Sequence, residues 1–218
     1  MNYERLYQYR FRNVPQDSRK LVWEEIAAWA HEELGRPRRV LDPAAGRGEF
    51  INAVPARERW AVDEVAYLEA VLSEAVRFVH ADVMEANLPL GHFDAIWVSN
   101  FLEHLGSQDR VAAFLEKMRD CTAPGGQIAI MGPNFRYCAD KYFDFADHSV
   151  ILTHRGVEEH LYAAGFQPRR VEPRFLPYSF SGRLPASSRL VRSYLRFPLA
   201  WRLAGKQFLV IGERPAAL

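Results

Sequence analysis

The chain has 218 residues, of which 49% are hydrophobic and 13% aromatic, so it can bury one sizeable core and is not disordered. Its 28 Lys and Arg residues nearly balance its 27 Asp and Glu residues, which leaves a net charge of +1. This balance argues against a protein that coats nucleic acid, although it leaves room for a local basic patch.

The two cysteines, Cys121 and Cys138, stand in no C-x-x-C or Cys/His cluster. We therefore expect no disulfide framework and no metal site, and a reducing compartment. Neither an apolar signal segment after Met1 nor a run long enough to span a membrane occurs in the sequence. The sequence thus predicts a cytoplasmic protein.

The first predicted element is a helix that begins near the N-cap candidates Asp17 and Ser18 and ends at Gly35. Its predicted apolar face consists of Leu21, Val22, Ile26, Trp29, Ala30 and Leu34. We expect residues 1–36 to form an N-terminal helical segment that precedes the sheet.

Short apolar strands alternate with helices from residue 38 onward. Strands are predicted at 40–41, 60–63, 76–82, 93–98 and 127–131, and helices from 49, over 66–75 and over 111–119. This alternation predicts a doubly wound α/β domain with a parallel sheet between two helical layers. Ligands of such sheets bind at the carboxyl ends of the strands.

The last third of the chain departs from this regular pattern. It predicts a polar and aromatic loop over 134–148, a helix over 155–164 that ends at Gly165, and strands at 167–177 and 207–212. Between these strands, the basic insert at 179–206 holds six Lys and Arg residues and no Asp or Glu. Pro198 should break any helix within it.

The turn after the first strand is rich in small residues, namely Ala44, Ala45, Gly46 and Gly48. They let a ligand approach the backbone, and the turn opens a helix whose N-terminus is electropositive. Only two glycines of the dinucleotide pattern G-x-G-x-x-G are present, which disfavours a nicotinamide cofactor. Asp42 at the strand end suits a ligand with an ammonium group, although an ordinary tight turn with an exposed Asp is the alternative.

Acidic residues end three successive predicted strands, at Asp42, Asp63 and Asp82. A carboxylate in the place of Asp63 accepts hydrogen bonds from both hydroxyls of a ribose, and Asp82 is in reach of an adenine amino group. One such acid is usually a solvated surface residue, whereas three in this arrangement indicate a nucleoside-bearing ligand.

The first motif of class I S-adenosylmethionine-dependent methyltransferases resembles the stretch Val40-Leu41-Asp42-Pro43-Ala44-Ala45-Gly46-Arg47-Gly48. Later motifs of that family are similar, in order, to 61–63, 81–83, 93–105 and 123–128, and the similarity resumes at 163–166. The one departure is Ala44, where the family usually has its first glycine. The resemblance implies a doubly wound, seven-stranded Rossmann-like methyltransferase fold, with strand order 3-2-1-4-5-7-6 and the last strand antiparallel, in a single domain over 1–218.

The resemblance also implies S-adenosylmethionine as the cofactor. The methionyl part would lie on the turn after the first strand, the ribose on the acids that end the second strand, adenine at the end of the third strand, and the sulfonium at the end of the fourth. In that order, the residues implied are Asp42, Ala44, Ala45, Gly46, Gly48, Asp63, Glu64, Asp82, Val83 and Asn100.

The place where amino-adenine methyltransferases carry Asn/Asp-Pro-Pro-Tyr/Phe reads Ser99-Asn100-Phe101-Leu102 here, and no Cys-Pro pair follows the fourth strand. DNA is therefore not the expected acceptor. Of three candidate bases, His104, His148 and His154, we take His148 and His104 as the catalytic candidates. Each also has a structural interpretation, His104 within a common family motif and His148 as a hydrogen-bonding residue of its loop.

The loop after 133 and parts of the insert resemble methyltransferases of polysaccharide and glycolipid biosynthesis. We therefore expect the acceptor to be a hydroxyl of a sugar or of a carrier-linked glycan precursor. The alternatives are a phenolic or amine acceptor of natural-product metabolism and, from another class, a non-catalytic S-adenosylmethionine-binding interaction module. The sequence predicts no oligomeric state.

The basic insert at 179–206 has three interpretations. It could contact an anionic membrane surface, which would make the protein peripheral to the inner face of a membrane. It could instead close over a phosphate-bearing acceptor, or be a solvated cationic face above residues that pack in the core.

Overall fold

The structure, a computed structural model, describes residues 3–12, 16–178 and 187–216. Helices α1 (Tyr3–Phe11) and α2 (Gln16–Glu33) precede the sheet. The first half of the sheet region runs in this order: β1 (Arg39–Asp42), α3 (Glu49–Ala53), β2 (Glu58–Asp63), a 3₁₀ helix (Ala66–Ala70), β3 (Val76–His80) and β4 (Phe93–Ser99).

The second half begins with a 3₁₀ turn (Leu102–His104), α4 (Gln108–Cys121) and β5 (Thr122–Pro133). A helical turn, α5 (Phe135–Cys138), and a 3₁₀ turn (Tyr142–Asp144) lie in the following loop. The chain continues with α6 (His154–Ala163), β6 (Gln167–Glu172), α7 (Ser188–Arg196), α8 (Pro198–Ala204) and β7 (Gln207–Glu213).

The seven strands form one sheet in the order β3-β2-β1-β4-β5-β7-β6. All neighbouring pairs are parallel except those of β7, which runs antiparallel to β5 and to β6. The predicted Rossmann-like methyltransferase fold, including its antiparallel last strand, is confirmed.

The alternation of side chains along the strands divides the core into two layers. On β4, Ile96 and Val98 face the layer that contains α4 and α6, whereas Ala95 and Trp97 face the layer that contains α2 and α3. The Trp97 ring stacks on Phe50 of α3, with 4.7 Å between the ring centroids. Burial on both faces explains why this strand reads as a nearly continuous apolar run.

Helix α2 buries a face slightly rotated from the predicted one. Leu21 is exposed, and Trp23 is buried in its place beside Val22 and Ile26. The apolar stripe is centred on the side that packs against α3 and α7, and Leu21 lies at its flank. The prediction that Leu21 belongs to the core is wrong.

The helix predicted over 66–75 is shorter than expected. After the 3₁₀ helix ends at Ala70, the Asn52 side chain donates to the carbonyl of Val71 at 3.0 Å and accepts from the amide of Ser73 at 2.8 Å. These bonds occupy backbone groups that a continuing helix would use, and they end it. Strand β6 likewise ends at Glu172, before the predicted residue 177.

The described part of the basic insert consists of α7 and α8, which Pro198 separates as predicted. Residues 179–186, including Arg183, lie outside the described residues. No helix within the described ranges is both long enough and apolar enough to cross a membrane.

Candidate active site

A cavity of about 750 Å³ opens at the carboxyl edge of the parallel strands. The loops that follow β1, β2, β3 and β4 form one part of its wall. The end of β5 and the loop after it contribute Pro133, Phe145 and His148, and α1, α2 and the segments that flank the insert contribute further residues. The predicted site residues that line it are Ala44, Ala45, Gly46, Asp63, Glu64, Asp82, Val83, Asn100, His104 and His148.

Asp42 and Gly48 lie behind the cavity wall instead of lining it. Asp42 is 2% exposed, and its Oδ1 has no hydrogen-bond partner. Burial raises the pKa of Asp42 to about 8, although a hydrogen bond with the Ala44 backbone opposes that shift. Burial thus favours the uncharged form of this carboxyl, which lies beneath the turn.

The turn after β1 needs glycine at two positions, Gly46 and Gly48, whose φ angles are 58° and 71°. A Cβ on Gly48 would approach Leu72 to 2.8 Å. Ala44 is not among the described residues with positive φ. An L-residue therefore adopts that position without strain, which accounts for the departure from the family's usual glycine.

Asp63 ties the end of β2 to the turn after β1. Its Oδ2 accepts from the Gly46 amide at 2.7 Å, and its Oδ1 accepts from the Val65 amide at 3.0 Å. Burial raises the pKa of Asp63, and these backbone donors oppose the rise. Each carboxylate oxygen retains a second lone pair for a ligand hydroxyl, because one backbone bond occupies only one of the two.

Asp82 and Asn100 occupy the wall on either side of β1. Asp82 Oδ1 accepts from the Met84 amide at 2.8 Å, which fixes the carboxylate at the end of β3. Asn100 directly follows β4 with φ 50°, a left-handed conformation that asparagine tolerates better than most residues. Its amide donates to the Met131 carbonyl at 2.8 Å, so this unusual backbone is held in place.

The two predicted catalytic histidines lie side by side, with ring centroids 5.1 Å apart. His104 Nδ1 lies 3.0 Å from the Asp147 backbone carbonyl. Since a carbonyl only accepts hydrogen bonds, Nδ1 must carry the proton, and Nε2 of the neutral ring is then a proton acceptor. The geometry gives His104 the tautomer that a general base requires.

His148 packs among aromatic rings, between Tyr142 and Phe145 at centroid distances of 4.9 and 5.0 Å. Burial, assisted by the neighbouring His104, lowers the pKa of His148 to about 4. The ring is therefore neutral at physiological pH. Its buried Nδ1 has no hydrogen-bond partner.

Asp147 stands behind His104, with Oδ2 3.5 Å from His104 Nδ1, and forms an ion pair with Arg10 of α1. Burial alone would raise the pKa of Asp147, but the hydrogen bond from Arg10 and the charge of His104 hold it below its ordinary value. The Arg10 guanidinium also lies 4.7 Å from the centre of the Phe145 ring. An anionic carboxylate is thus fixed next to the histidine pair.

Glu103 completes the cluster and is 1% exposed. Burial raises its pKa, despite the charge of the neighbouring His104. The candidate ligand atoms of Glu103, His104 and His148 all lie within 4.8 Å of one another. Two imidazoles and one carboxyl at this spacing are a donor set that could hold a divalent cation. The expectation of no metal site stays a prediction.

The third candidate base, His154, does not line the cavity. Its Nδ1 lies 2.9 Å from Asn134 Nδ2, within the buried core beside β5. Burial lowers the pKa of His154. This histidine is a structural residue, since it accepts from a buried amide.

The sequence did not indicate the contribution of the N-terminal helices, from which Arg10, Arg19 and Trp23 line the cavity. Arg19 donates to both carboxylate oxygens of Glu49, at 2.8 and 2.6 Å. Basic residues on a polar helix usually face solvent, so no local signal distinguished these two arginines. Their partners, Glu49 and Asp147, are distant in sequence.

The sheet order and the acids at successive strand ends define a class I S-adenosylmethionine-dependent methyltransferase. A family model described as a methyltransferase domain matches residues 11–170, and the chain belongs to that family. It is an S-adenosylmethionine-dependent methyltransferase, and S-adenosylmethionine is its cofactor. No curated protein matches the chain in sequence.

Solved structures share the fold at low sequence identity. A SAM-dependent methyltransferase from Archaeoglobus fulgidus is 21% identical, with a TM-score of 0.67 and coverage of 97% of this chain and 100% of that one. One from Thermotoga maritima is 13% identical, with a TM-score of 0.65 and coverage of 95% and 94%. A geranyl diphosphate methyltransferase in complex with GPP and sinefungin is 16% identical, with a TM-score of 0.60 and coverage of 87% and 76%.

Proposed function

We propose that this methyltransferase acts on a hydroxyl group of a sugar, which is either free or part of a carrier-linked glycan precursor. We propose further that His104 and His148 are the catalytic residues at the reacting hydroxyl. The observation that carries the proposal is the pair of histidines at the cavity wall, backed by the Asp147–Arg10 ion pair.

A base at this place favours a hydroxyl acceptor for a chemical reason. The cofactor supplies a methyl group that is already activated on a sulfonium, so the acceptor needs mainly alignment and, where necessary, loss of a proton. An amine attacks through a free lone pair, and a phenol ionises near pH 10. An alkyl hydroxyl ionises far above neutral pH, and it benefits most from a neutral imidazole that takes its proton.

We assign the two halves of the cavity different tasks. The acids Asp63 and Asp82 and the turn at Ala45 and Gly46 would hold the cofactor, with Glu64 and Val83 beside them and Asn100 at the sulfonium end. Asp42 and Gly48 would support the conformation of the turn without contacting the cofactor. His104 Nε2 would accept the hydroxyl proton, and Asp147 would stabilise the imidazolium that forms.

The rest of the cavity wall supports a sugar. Phe145 and Tyr178 both line it, with ring centroids 5.6 Å apart, and aromatic faces pack well on the C–H faces of a pyranose. Gln207 and Glu103 add polar groups that can bond to neighbouring hydroxyls. Arg47 and Arg110 also line the cavity, but on its cofactor side, since Arg47 belongs to the turn after β1 and Arg110 lies 3.8 Å from Asp82 Oδ2.

The test is a transfer assay with methyl-labelled S-adenosylmethionine and four acceptor sets: nucleotide sugars, polyprenyl-phosphate sugars, phenols and amines. We expect label on a sugar hydroxyl, and at least a hundredfold loss of turnover in His104→Gln, since a positioned base contributes about 10² to 10⁴. His160→Gln is the matched control, because His160 lies outside the cavity and bonds Gln108 at 2.8 Å.

Transfer to phenols or amines alone would contradict the proposed sugar acceptor, although it would still show methyl transfer from S-adenosylmethionine. If every acceptor fails while S-adenosylmethionine still binds, the non-catalytic interaction module becomes the better description. Binding is measured separately by calorimetry, so the two outcomes are distinct.

A further inference from the structure

We infer that the outer face of α7 and α8 docks on an anionic lipid surface. This outer face is formed by the exposed side chains of Leu190, Arg196, Phe197, Leu199, Arg202 and Leu203. Docking there would bring the cavity to a lipid-carried acceptor, a link that rests on the proposed function.

Large apolar side chains are unusually concentrated on this face. Phe197, Leu199 and Leu203 are 65%, 68% and 84% exposed, and Leu190 is 55% exposed. Single exposed leucines are common on soluble proteins, but a group within a short segment marks a contact surface. The opposite side of the same helices is buried, since Leu195 and Trp201 belong to the core. The exposed apolar side chains are therefore not the ones that pack the helices against the core.

The charged side chains within the described part of the insert, residues 187–206, all have one sign. Arg189, Arg196 and Arg202 are exposed, and residues 187–206 include no Asp or Glu. Arg192 differs, because it donates to both carboxylate oxygens of Glu25 on α2, at 2.9 and 2.6 Å. Apolar groups that insert between headgroups, with arginines that meet acidic lipids, are the combination that interfacial helices use.

Other occupants fit this face less well. A symmetric dimer would set the face against its own copy, and the like charges would repel each other. RNA would use the arginines, but of the apolar side chains on this face only Phe197 offers bases a flat surface for stacking, and the three leucines offer none. Acidic lipid matches both the apolar side chains and the arginines.

The helices that carry this face are hydrogen-bonded to the segments that flank the insert, and those segments reach the cavity. Both ends of the 173–206 connection lie at the active-site edge, where Tyr178 and Gln207 line the cavity. The amides of Lys206 and Gln207 donate to the Leu176 carbonyl at 2.8 and 2.9 Å. Tyr194 Oη donates to the Phe175 carbonyl at 2.6 Å, and Trp201 Nε1 donates to the Tyr194 carbonyl at 2.7 Å. A membrane under this face is thus linked to the acceptor end of the site through a fixed scaffold.

The experiment is flotation of the full chain with vesicles of phosphatidylcholine alone or mixed with phosphatidylglycerol, at low and high salt. We expect binding only to the mixed vesicles and its loss at high salt. Arg196→Gln with Arg202→Gln should weaken partition roughly 25-fold, at roughly fivefold for each arginine near the surface. Leu199→Ser with Leu203→Ser should also weaken partition at least tenfold.

Matched controls come from the opposite edge of the sheet, where Arg38 and Arg57 are exposed and Leu90 is 77% exposed. Arg38→Gln with Arg57→Gln, and Leu90→Ser, should leave partition unchanged. None of the substituted residues lines the cavity, so calorimetric affinity for S-adenosylmethionine should be the same in every variant.

Equal partition of the four variants would overturn the inference, as would binding to uncharged vesicles alone. Self-association that Leu199→Ser with Leu203→Ser abolishes would assign the face to a second copy, and tighter binding to RNA than to vesicles would assign it to RNA. Either result contradicts lipid docking. Flotation needs no acceptor, so the docking and the sugar-hydroxyl assignment can fail independently.

Discussion

The proposed cofactor half and the proposed acceptor half of the cavity are built by different means. In the cofactor half, short-range backbone bonds fix each side chain: Asp63 accepts from Gly46 and Val65, and Asp82 accepts from Met84. In the acceptor half, ion pairs join residues that are far apart in the chain, such as Arg10 with Asp147. The residues that we propose for the cofactor are thus fixed by local motifs, whereas those that we propose for the acceptor depend on the docking of the N-terminal helices and of the insert.

Replacement of both histidines should distinguish the roles of the two halves most clearly, because it should lower turnover and leave cofactor affinity nearly unchanged. For His104→Ala with His148→Ala we expect a 10²- to 10⁴-fold loss of turnover, because a positioned base is lost. The affinity for S-adenosylmethionine should change by less than threefold. Steady-state kinetics and calorimetry on the same preparation measure both quantities, and a parallel loss of cofactor binding would show that the halves are not separable.

Asp63→Ala should have the opposite effect, because it should weaken cofactor binding instead of base catalysis. It removes the acceptor of two backbone bonds and the proposed ribose ligand, so we expect at least a tenfold weaker affinity, about 1.4 kcal/mol. Calorimetry with S-adenosylmethionine and S-adenosylhomocysteine measures it. Unchanged affinity in a folded Asp63→Ala protein would contradict the ribose assignment.

Arg10→Gln tests the long-range support of the acceptor half. Without the guanidinium, the pKa of Asp147 should rise and its carboxylate should hold His104 less firmly. We expect roughly a tenfold lower kcat, a smaller loss than the 10²- to 10⁴-fold expected when the base itself is removed. Arg12→Gln is the matched control in the same segment, since Arg12 stacks on Tyr9 at 3.7 Å and does not line the cavity. Equal kinetics for the two variants would exclude a positioning role for Arg10.

The smallest effect concerns stability against pH. The pKa of His148 is lowered to about 4 in the folded state, so the unfolded chain binds a proton first as pH falls. Its contribution to the free energy of unfolding is present above pH 6.5 and is lost as pH falls towards 4. We expect about 1 kcal/mol, after allowance for solvent screening at a half-buried ring. Thermal unfolding of wild type and His148→Gln at pH 7 and pH 5 measures it, and the variant should lose less stability.

The same division explains what the sequence could predict. The turn at residues 42–48 carries its own conformational rules, so its place at the carboxyl edge follows from the chain alone. The rotation of α2 that exposes Leu21 and buries Trp23 depends on how α3 and α7 pack against it. Arg10 resembles any basic residue of a polar helix until its tertiary partner is known. Long-range pairs leave no periodic signal in one sequence.

The antiparallel direction of β7 has a consequence for how the protein can change. Since β6 ends at the active-site edge and β7 begins there, the connection over 173–206 has both of its ends at that edge. Such a loop can be replaced, lengthened or transplanted between homologous enzymes without altering the order of the strands. The connection over 173–206 is therefore a segment that evolution can exchange beside the proposed acceptor end of the cavity. Such an exchange would change the acceptor that the enzyme selects and leave the proposed cofactor residues unchanged.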